Sequence, residues 1–187
     1  NPASPTLTGT NDTTGYANGV SLSADGNTAF VADGSDGLDI INVSNPSNPT
    51  LTGNYDTSGY AWGVSLSADG NTAFVADGNR GLQIIDVSNP ASPTLTSTLD
   101  TSGYAHGVSL SADGNTAFVA DGNRGLQIID VSNPANPTLR GTLVTSGNAY
   151  GVSLSADGNT AYVADQASGL QIIDVVDTAA NGSAAIA

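Results

Sequence analysis

Apolar and polar residues alternate along this chain in short stretches that are separated by glycine, asparagine and aspartate. Residues 63–68 (GVSLSA) alternate apolar with small polar side chains, and Thr72–Ala76 (TAFVA) follows after the turn-forming sequence ADGN. Two more stretches, 82–87 (LQIIDV) and 93–98 (PTLTST), lie before the pattern starts again. Runs of this length with a period of two, bounded by turn residues, are typical of β-strands. The pattern predicts four short antiparallel strands.

The four-stranded unit is repeated along the chain. The dipeptide Asn-Pro recurs with a period of 44 residues, at Asn1, Asn45, Asn89 and Asn133. The repeats are therefore 1–44, 45–88, 89–132 and 133–176, followed by an Ala-rich C-terminal tail, 177–187. Four short strands in a period of about 40–45 residues are typical of a propeller blade. The sequence predicts an all-β fold, a β-propeller of four 44-residue, four-stranded antiparallel blades.

Composition supports this fold and excludes several kinds of partner. The 17 acidic residues are all Asp, only three basic residues oppose them, and the formal net charge is −14. Glu and Lys, which favour helices, are absent. So acidic a chain is unsuited to nucleic acid or to anionic membranes, and no apolar stretch is long enough for membrane insertion. The lack of Cys excludes disulfides and thiol chemistry. We expect an extracellular or cell-surface setting.

The repeated motif resembles a known family. The sequence GLQIIDVSNP at 81–90, preceded by AFVAD at 73–77, recurs at 37–46, at 125–134 and, without its Ser-Asn-Pro ending, at 169–177. It is similar to the LVIVD repeat. The resemblance implies a β-propeller of bacterial or archaeal surface and secreted proteins, with no established catalytic residues. Such propellers usually hold more than four blades, so three arrangements remain open: a closed four-bladed ring, half of a larger ring, or a fragment.

Sequence variation points to a ligand-binding face. The copies differ at the start of the innermost strand and in the adjacent loop, both at the end of the propeller where the blade junctions open. Exposed aromatic rings beside hydrogen-bonding groups suit a glycan or a protein partner. Alternatively, these side chains line the propeller mouth as structural residues. The candidate ligand-binding residues are Asn18, Trp62, His106, Tyr150, Arg80 and Arg124.

Four aspartates on the same end form a candidate calcium site. Carboxylates together with backbone carbonyls provide the six to eight oxygens that calcium prefers. The alternative is that they are solvated turn residues, because no Asp-x-Asp-x-Asp-Gly loop is present. These candidates are Asp33, Asp77, Asp121 and Asp165. We expect no other cofactor and no catalytic residues, because the chain has a single histidine and its acids recur in every repeat.

The two ends of the chain predict self-association. The N-terminal residues have the sequence of a fourth strand, whereas the last repeat finishes after a third strand, 170–175. An unpaired strand edge attracts another strand. The assembly strand consists of Pro5, Thr6, Leu7, Thr8, Gly9 and Thr10. Donated within one molecule it closes a four-bladed ring, and donated to a neighbour it links copies into a larger ring or a polymer.

These features favour a non-catalytic structural propeller of the cell surface or the extracellular space. Exchange of the N-terminal strand would assemble it with copies of itself into a surface layer or a filament. The alternative function is an adhesin-like or lectin-like module that binds a glycan or a surface protein through its variable face.

Overall fold

A computed structural model of the chain describes residues 3–176, and the all-β prediction is confirmed. Its strands form four antiparallel sheets, which we call blades 1 to 4. Blade 1 comprises β1 (Gly19–Leu22), β2 (Thr28–Ala32), β3 (Leu38–Asn42) and β4 (Thr50–Tyr55), and blade 2 comprises β5 (Gly63–Leu66), β6 (Thr72–Ala76), β7 (Leu82–Asp86) and β8 (Thr94–Leu99). Blade 3 comprises β9 (Gly107–Leu110), β10 (Thr116–Ala120), β11 (Leu126–Asp130) and β12 (Thr138–Leu143). Blade 4 comprises β13 (Gly151–Leu154), β14 (Thr160–Ala164) and β15 (Leu170–Asp174). A 3₁₀ turn at Gln166–Ser168 precedes β15. No helix in this part of the chain is long and apolar enough to cross a membrane.

Each blade combines strands from two successive 44-residue repeats. Three strands come from one repeat, and the outer strand comes from the beginning of the next, as with β4 at Thr50–Tyr55. Blades 1 to 3 have the expected four strands, whereas blade 4 has three among the described residues. The residues that would follow β15 as an outer strand belong to the tail 177–187, which lies outside the described residues.

The turn between the first two strands of each blade is built by local polar contacts. In blade 2 the Ser67 hydroxyl donates to Asp69 Oδ1 at 2.6 Å, and the Asn71 backbone N–H donates to the same oxygen at 3.1 Å. These hydrogen bonds stabilise the ionised carboxylate and lower the pKa of Asp69. Gly70 has φ 72°, which favours glycine. The turn thus fixes the register of β5 against β6.

The core lies between blades, because each sheet is apolar on both faces. We call the face that packs on the next blade the forward face and the opposite one the rear face. The forward face of blade 2 consists of Phe74, Ala76, Leu82 and Ile84, and it packs on the rear face of blade 3, which includes Ala117, Val119, Ile129 and Val131. The junctions between blades 1 and 2 and between blades 3 and 4 repeat this arrangement. Stacking of adjacent blades therefore supplies most of the hydrophobic burial.

Glycines at the start of the innermost strands allow neighbouring blades to approach closely. A Cβ at Gly19 would lie 2.7 Å from the Trp62 carbonyl oxygen of blade 2. A Cβ at Gly63 would lie 2.9 Å from the carbonyl oxygen of His106. A Cβ at Gly151 would meet only the Ala164 Cβ, at 3.8 Å, because no blade follows within the described residues. A glycine at the start of an innermost strand thus leaves the space that the backbone of the next blade occupies.

The forward face of blade 4 is not covered by any of the described residues, and the rear face of blade 1 is exposed along β1, although Ala29, Val31 and Ile41 on β2 and β3 are buried. On blade 1, Val20 is 66% exposed, whereas its counterpart Val64 packs against the core between blades 1 and 2. On blade 4, Leu170 and Ile172 are 63% and 66% exposed, whereas the equivalent Ile84 is fully buried. The blades therefore form an open arc, and residues 3–18 form no strand.

The difference between covered and uncovered faces predicts unequal effects of the same substitution. Ile84→Ala should lower the free energy of unfolding of the monomer by about 2–5 kcal/mol, because it leaves a cavity between blades 2 and 3. Ile172→Ala should change it by only about 0.5 kcal/mol, because that side chain is already in water. Urea unfolding of both variants at low protein concentration measures the difference. Equal losses of stability would contradict an uncovered forward face on blade 4.

Candidate functional site

The four variable positions at the propeller mouth occupy equivalent places in the blades. Each lies just before an innermost strand, and its backbone N–H donates to the last residue of the neighbouring strand. Examples are Trp62 to Ala76 and His106 to Ala120, at 2.9 and 2.8 Å. Because the innermost strands of neighbouring blades approach closely, the side chains at these positions come together at the propeller mouth.

Three of the four variable side chains belong to a continuous row of rings. His106 stacks on Tyr150 with a centroid distance of 4.2 Å and meets Trp62 edge-on at 5.1 Å. Tyr60 lies 4.9 Å from Trp62, and Tyr104 lies 5.1 Å from His106. We call these five residues the aromatic row. The sequence analysis missed Tyr60 and Tyr104, although the recurrence of Tyr two positions before the variable site was a usable signal.

The remaining variable residue, Asn18, is not part of the row. Its side-chain Nδ2 donates to the Ala61 carbonyl of blade 2 at 3.0 Å, so it links two blades. The two arginines are also used locally. Arg80 Nε donates to the Ser58 carbonyl at 3.4 Å, and Arg124 Nε donates to the Ser102 carbonyl at 3.2 Å. Both arginines are exposed and support the blade junctions beside the aromatic row.

The aromatic row is uncharged near neutral pH. Burial lowers the pKa of His106, so its imidazole is neutral. The His106 Nδ1 and the Trp62 Nε1 are buried and have no hydrogen-bond partner among residues 3–176. Tyr150 and Tyr104 remain 45% and 39% exposed. The row therefore presents neutral aromatic surface at the mouth and contains no acid–base pair.

The four candidate calcium ligands do not form a ring of carboxylates. Each is fully buried and accepts a hydrogen bond from a threonine hydroxyl 20 residues earlier in the chain, in the segment that leads into its blade. The pairs are Thr13–Asp33, Thr57–Asp77, Thr101–Asp121 and Thr145–Asp165, with distances of 2.8, 2.6, 2.6 and 2.5 Å. No group of three acidic or histidine side chains in the described part of the chain is arranged to hold a metal. The aspartates are thus structural residues that stabilise the blade junctions, and we call each Thr–Asp pair a lock. The calcium hypothesis gains no support.

Two of these locks are incompletely hydrogen-bonded. Asp33 Oδ2 accepts the Gly15 N–H at 2.8 Å, but Asp77 Oδ2 and Asp121 Oδ2 have no partner among the described residues. Gly59 is the residue equivalent to Gly15, and the N–H of the neighbouring Ser58 donates to Asp56 Oδ1 at 2.8 Å, with Ser58 at φ 62°. Burial raises the pKa of Asp77 and of Asp121 to about 6. Both carboxyls thus titrate close to neutral pH.

The N-terminal segment 6–11 lies on blade 1 in the position of a preceding outer strand. A Cβ at Gly9 would overlap the carbonyl oxygen of Pro46, as one at Gly53 in β4 would overlap that of Pro90 in blade 2. The Asn11 side chain also donates to the Pro49 carbonyl at 3.4 Å. The expected assembly strand is therefore positioned against blade 1, but it is not paired with a sheet among the described residues.

Comparison with known proteins agrees with this architecture. The family model of the LVIVD repeat matches four successive segments, 14–57, 58–101, 102–145 and 146–184. No curated protein matches the sequence at a significant level.

Similar solved structures share the fold at low identity. A functionally unknown protein from Desulfotomaculum acetoxidans is 21% identical with a TM-score of 0.67, over 84% of this chain and 55% of that one. The β-propeller domain of Myceliophteria thermophila Cps50 (Swd1) is 16% identical with a TM-score of 0.71, over 86% and 54%. The Pseudomonas aeruginosa periplasmic gluconolactonase PpgL is 19% identical with a TM-score of 0.64, over 84% and 56%. The chain spans about half the length of these matched chains.

The raised pKa values predict that mild acid stabilises the protein. Between about pH 4 and pH 6 the folded state binds protons at Asp77 and Asp121 that the unfolded chain, with its usual carboxyl pKa of 3.8, does not bind. Their contribution to stability therefore rises as pH falls from 7 to 4. The double variant Asp77→Asn/Asp121→Asn should lose most of this rise, because its amides do not titrate.

Thermal unfolding temperatures at pH 4, 5, 6 and 7 measure this effect. Asp33→Asn is the control, since its amide would oppose the Gly15 N–H and should lower stability at every pH in this range. An unchanged pH profile in the double variant would refute the assignment of the effect to these two carboxyls.

Proposed function

Since the chain belongs to the LVIVD-repeat family, we propose that it is a non-catalytic structural β-propeller of the cell surface or extracellular space that assembles with copies of itself. The observation that carries the proposal is the exposed apolar surface at the two ends of the arc, on the forward face of blade 4 and along β1 on the rear face of blade 1. A second copy supplies the complementary face for each, so copies associate head to tail. A surface layer or a filament is the expected product of open association.

The side chains on these two faces support head-to-tail association. The forward face of blade 4 has the same residue types as the buried forward face of blade 2, with Tyr in place of Phe. The rear face of blade 1 has the same residue types as the rear face of blade 2. The forward face exposes Tyr162, Ala164, Leu170 and Ile172, and the rear face exposes Val20 and Leu22, whereas Ala29, Val31 and Ile41 beside them are buried. Large exposed apolar patches of this kind are uncommon on monomers and typically mark interaction sites. The junction between copies would repeat one that already occurs three times within the chain.

The uses of the titratable side chains support a role without catalysis. The recurrent aspartates hold turns and blade junctions, and the single histidine is neutral and stacked on Tyr150. A catalytic site would require an acid or a nucleophile with a distinct environment in one blade. The similarity to PpgL concerns the fold, and function resides in sites rather than in folds.

The net charge favours a soluble, extracellular building block. A formal charge of −14 makes copies repel one another over distances of about a Debye length, about 8 Å at physiological ionic strength. The apolar end faces attract only at contact, so association should be orderly and should strengthen with salt. This balance suits a protein that is secreted as a soluble chain and assembles outside the cell.

A second candidate function is recognition of a glycan or protein by the aromatic row. Its specific support is the run of five rings, of which Tyr150 and Tyr104 are the most exposed. If the row binds saccharides, Tyr150→Ala should abolish retention on a panel of immobilised neutral and acidic polysaccharides, because stacking area is lost. Tyr16→Ala is the matched control, as Tyr16 is 72% exposed and belongs to none of the ring contacts that form the row. Equal retention of both variants would argue against the row.

Assembly itself is tested by placing a charge on the forward face of blade 4. Ile172→Asp should leave the monomer folded and abolish association, because a buried unpaired carboxylate would be required in the docked state. Leu139→Asp is the matched control: Leu139 is 53% exposed on β12, away from the end faces, and its replacement should leave association intact.

Analytical ultracentrifugation over a range of protein concentrations, at physiological salt, measures the association of each variant. The proposal predicts that the wild type associates as concentration rises and that Ile172→Asp remains monomeric. A wild type that stays monomeric throughout this range would refute self-assembly.

A further inference from the structure

We infer that two copies of this chain close into an eight-bladed ring, in which segment 6–11 of each copy is the outer strand of blade 4 in the other. The inference rests on the proposed self-assembly and specifies its geometry. Each copy would contribute an outer strand to the other copy's blade 4, which has three strands among the described residues.

The first support is the position of segment 6–11. In the junctions between blades 1 and 2 and between blades 2 and 3, the outer strand of one blade lies against the turn between the third and fourth strands of the next blade. Gly53 lies against Pro90 in this way, and the Ser97 hydroxyl donates to the Pro134 carbonyl at 2.5 Å. Gly9 has the same relation to Pro46. Segment 6–11 is thus already held where an outer strand belongs when another blade docks behind blade 1.

The second support is the free edge of β15. The equivalent strand of blade 2, β7, pairs with β6 on one side and β8 on the other. Among the described residues β15 pairs only with β14. With the register of β7 and β8, Gln171 would face Thr10 of the second copy, as Gln83 faces Thr98. In that internal pair the Thr98 hydroxyl donates to Gln83 Oε1 at 2.8 Å, a contact that Thr10 and Gln171 can repeat.

The third support is the open space around Gly169. At the equivalent Gly81, a Cβ would overlap the Leu99 carbonyl oxygen and would lie 2.7 Å from the Thr101 backbone nitrogen, both at the end of the outer strand. Nothing among the described residues lies within 4 Å of that position at Gly169. In the proposed ring the counterparts of Leu99 and Thr101 are Asn11 and Thr13 of the second copy, and they would occupy this space.

Curvature selects a closed ring of two copies over closure by one. The four blades superpose, over 86% of the chain, on 54% of the Cps50 β-propeller domain with a TM-score of 0.71. The rotation from blade to blade therefore suits a ring of about twice this number of blades, whereas one copy closing on itself would need a much sharper turn. Two head-to-tail junctions related by a two-fold axis complete such a ring.

Engineered disulfides test this arrangement, because the natural chain has no cysteine. The double variant Thr10→Cys/Gln171→Cys should form bridges between copies under mild oxidation, since facing residues of antiparallel strands lie within disulfide range. The positive control is Gln127→Cys/Thr142→Cys, whose native side chains are hydrogen-bonded within blade 3 at 2.6 Å and which should form a bridge inside one chain. The two single-cysteine variants of the test pair are negative controls.

Non-reducing electrophoresis, mass determination and thiol counting distinguish the outcomes. The inference predicts one covalent species of twice the 18.5 kDa chain mass, with no free thiol left. A ladder of larger species would overturn the closed ring while self-assembly stands. A monomer with both thiols oxidised would indicate closure within one chain, and a monomer with free thiols would indicate no docking; either would refute both the ring and self-assembly.

A second variant tests the packing of blade 4 on blade 1. Gly151→Val, added to the cysteine pair, should leave the unfolding temperature of the monomer unchanged, because only Ala164 lies near its Cβ. It should remove nearly all of the cross-linked dimer, because the side chain would overlap the Asn18 carbonyl of the incoming copy, as a Cβ at Gly63 would crowd that of His106. Undiminished cross-linking with a stable monomer would overturn the proposed packing of blade 4 on blade 1.

Discussion

The structure depends on one constraint: a sheet that is apolar on both faces is stable in water only between two other surfaces. The forward face of one blade meets the rear face of the next, and the largest fully buried side chains among the described residues lie there, including Phe74, Leu82 and Ile84. A single blade has no core of its own. Stability is thus a property of junctions, and it behaves approximately as a sum over neighbouring units, as in other repeat proteins.

Polar contacts at the junctions make this stacking specific. Apolar faces alone would allow blades to slide, because hydrophobic attraction has no direction. The hydrogen bond between Thr57 and Asp77 and the close contact of Gly63 with the His106 carbonyl fix both the distance and the rotation between neighbouring blades. Burial of the Asp77 carboxylate costs free energy, as its raised pKa indicates, and this cost is the consequence of a well-defined geometry.

The strands could be predicted from the sequence, but the contacts between distant residues could not. Strand and turn signals are local, so the third strand predicted at 82–87 corresponds to Leu82–Asp86 in the structure. The role of Asp77 could not be predicted in the same way, because its partner Thr57 is 20 residues distant and meets it only after the junction folds. Four similar carboxylates were therefore a candidate calcium site in the sequence, whereas in the structure each accepts a hydrogen bond from a threonine in the segment that leads into its blade.

The mouth residues illustrate the same limit. Variation among the repeats identified Trp62 and His106, but Tyr60 and Tyr104 were overlooked because the search for a ligand site followed the positions that vary most, and Tyr recurs at this position in three of the four repeats. Close approach of the inner strands brings constant and variable rings into one row. Duplication of a blade thus copies both its packing faces and the positions that carry the aromatic side chains of the mouth. A later substitution at one such position is enough to make one part of the mouth different from the others. The exposed apolar surface at the two ends of the arc follows from the same duplication, since every blade retains the side chains that pack on a neighbouring blade.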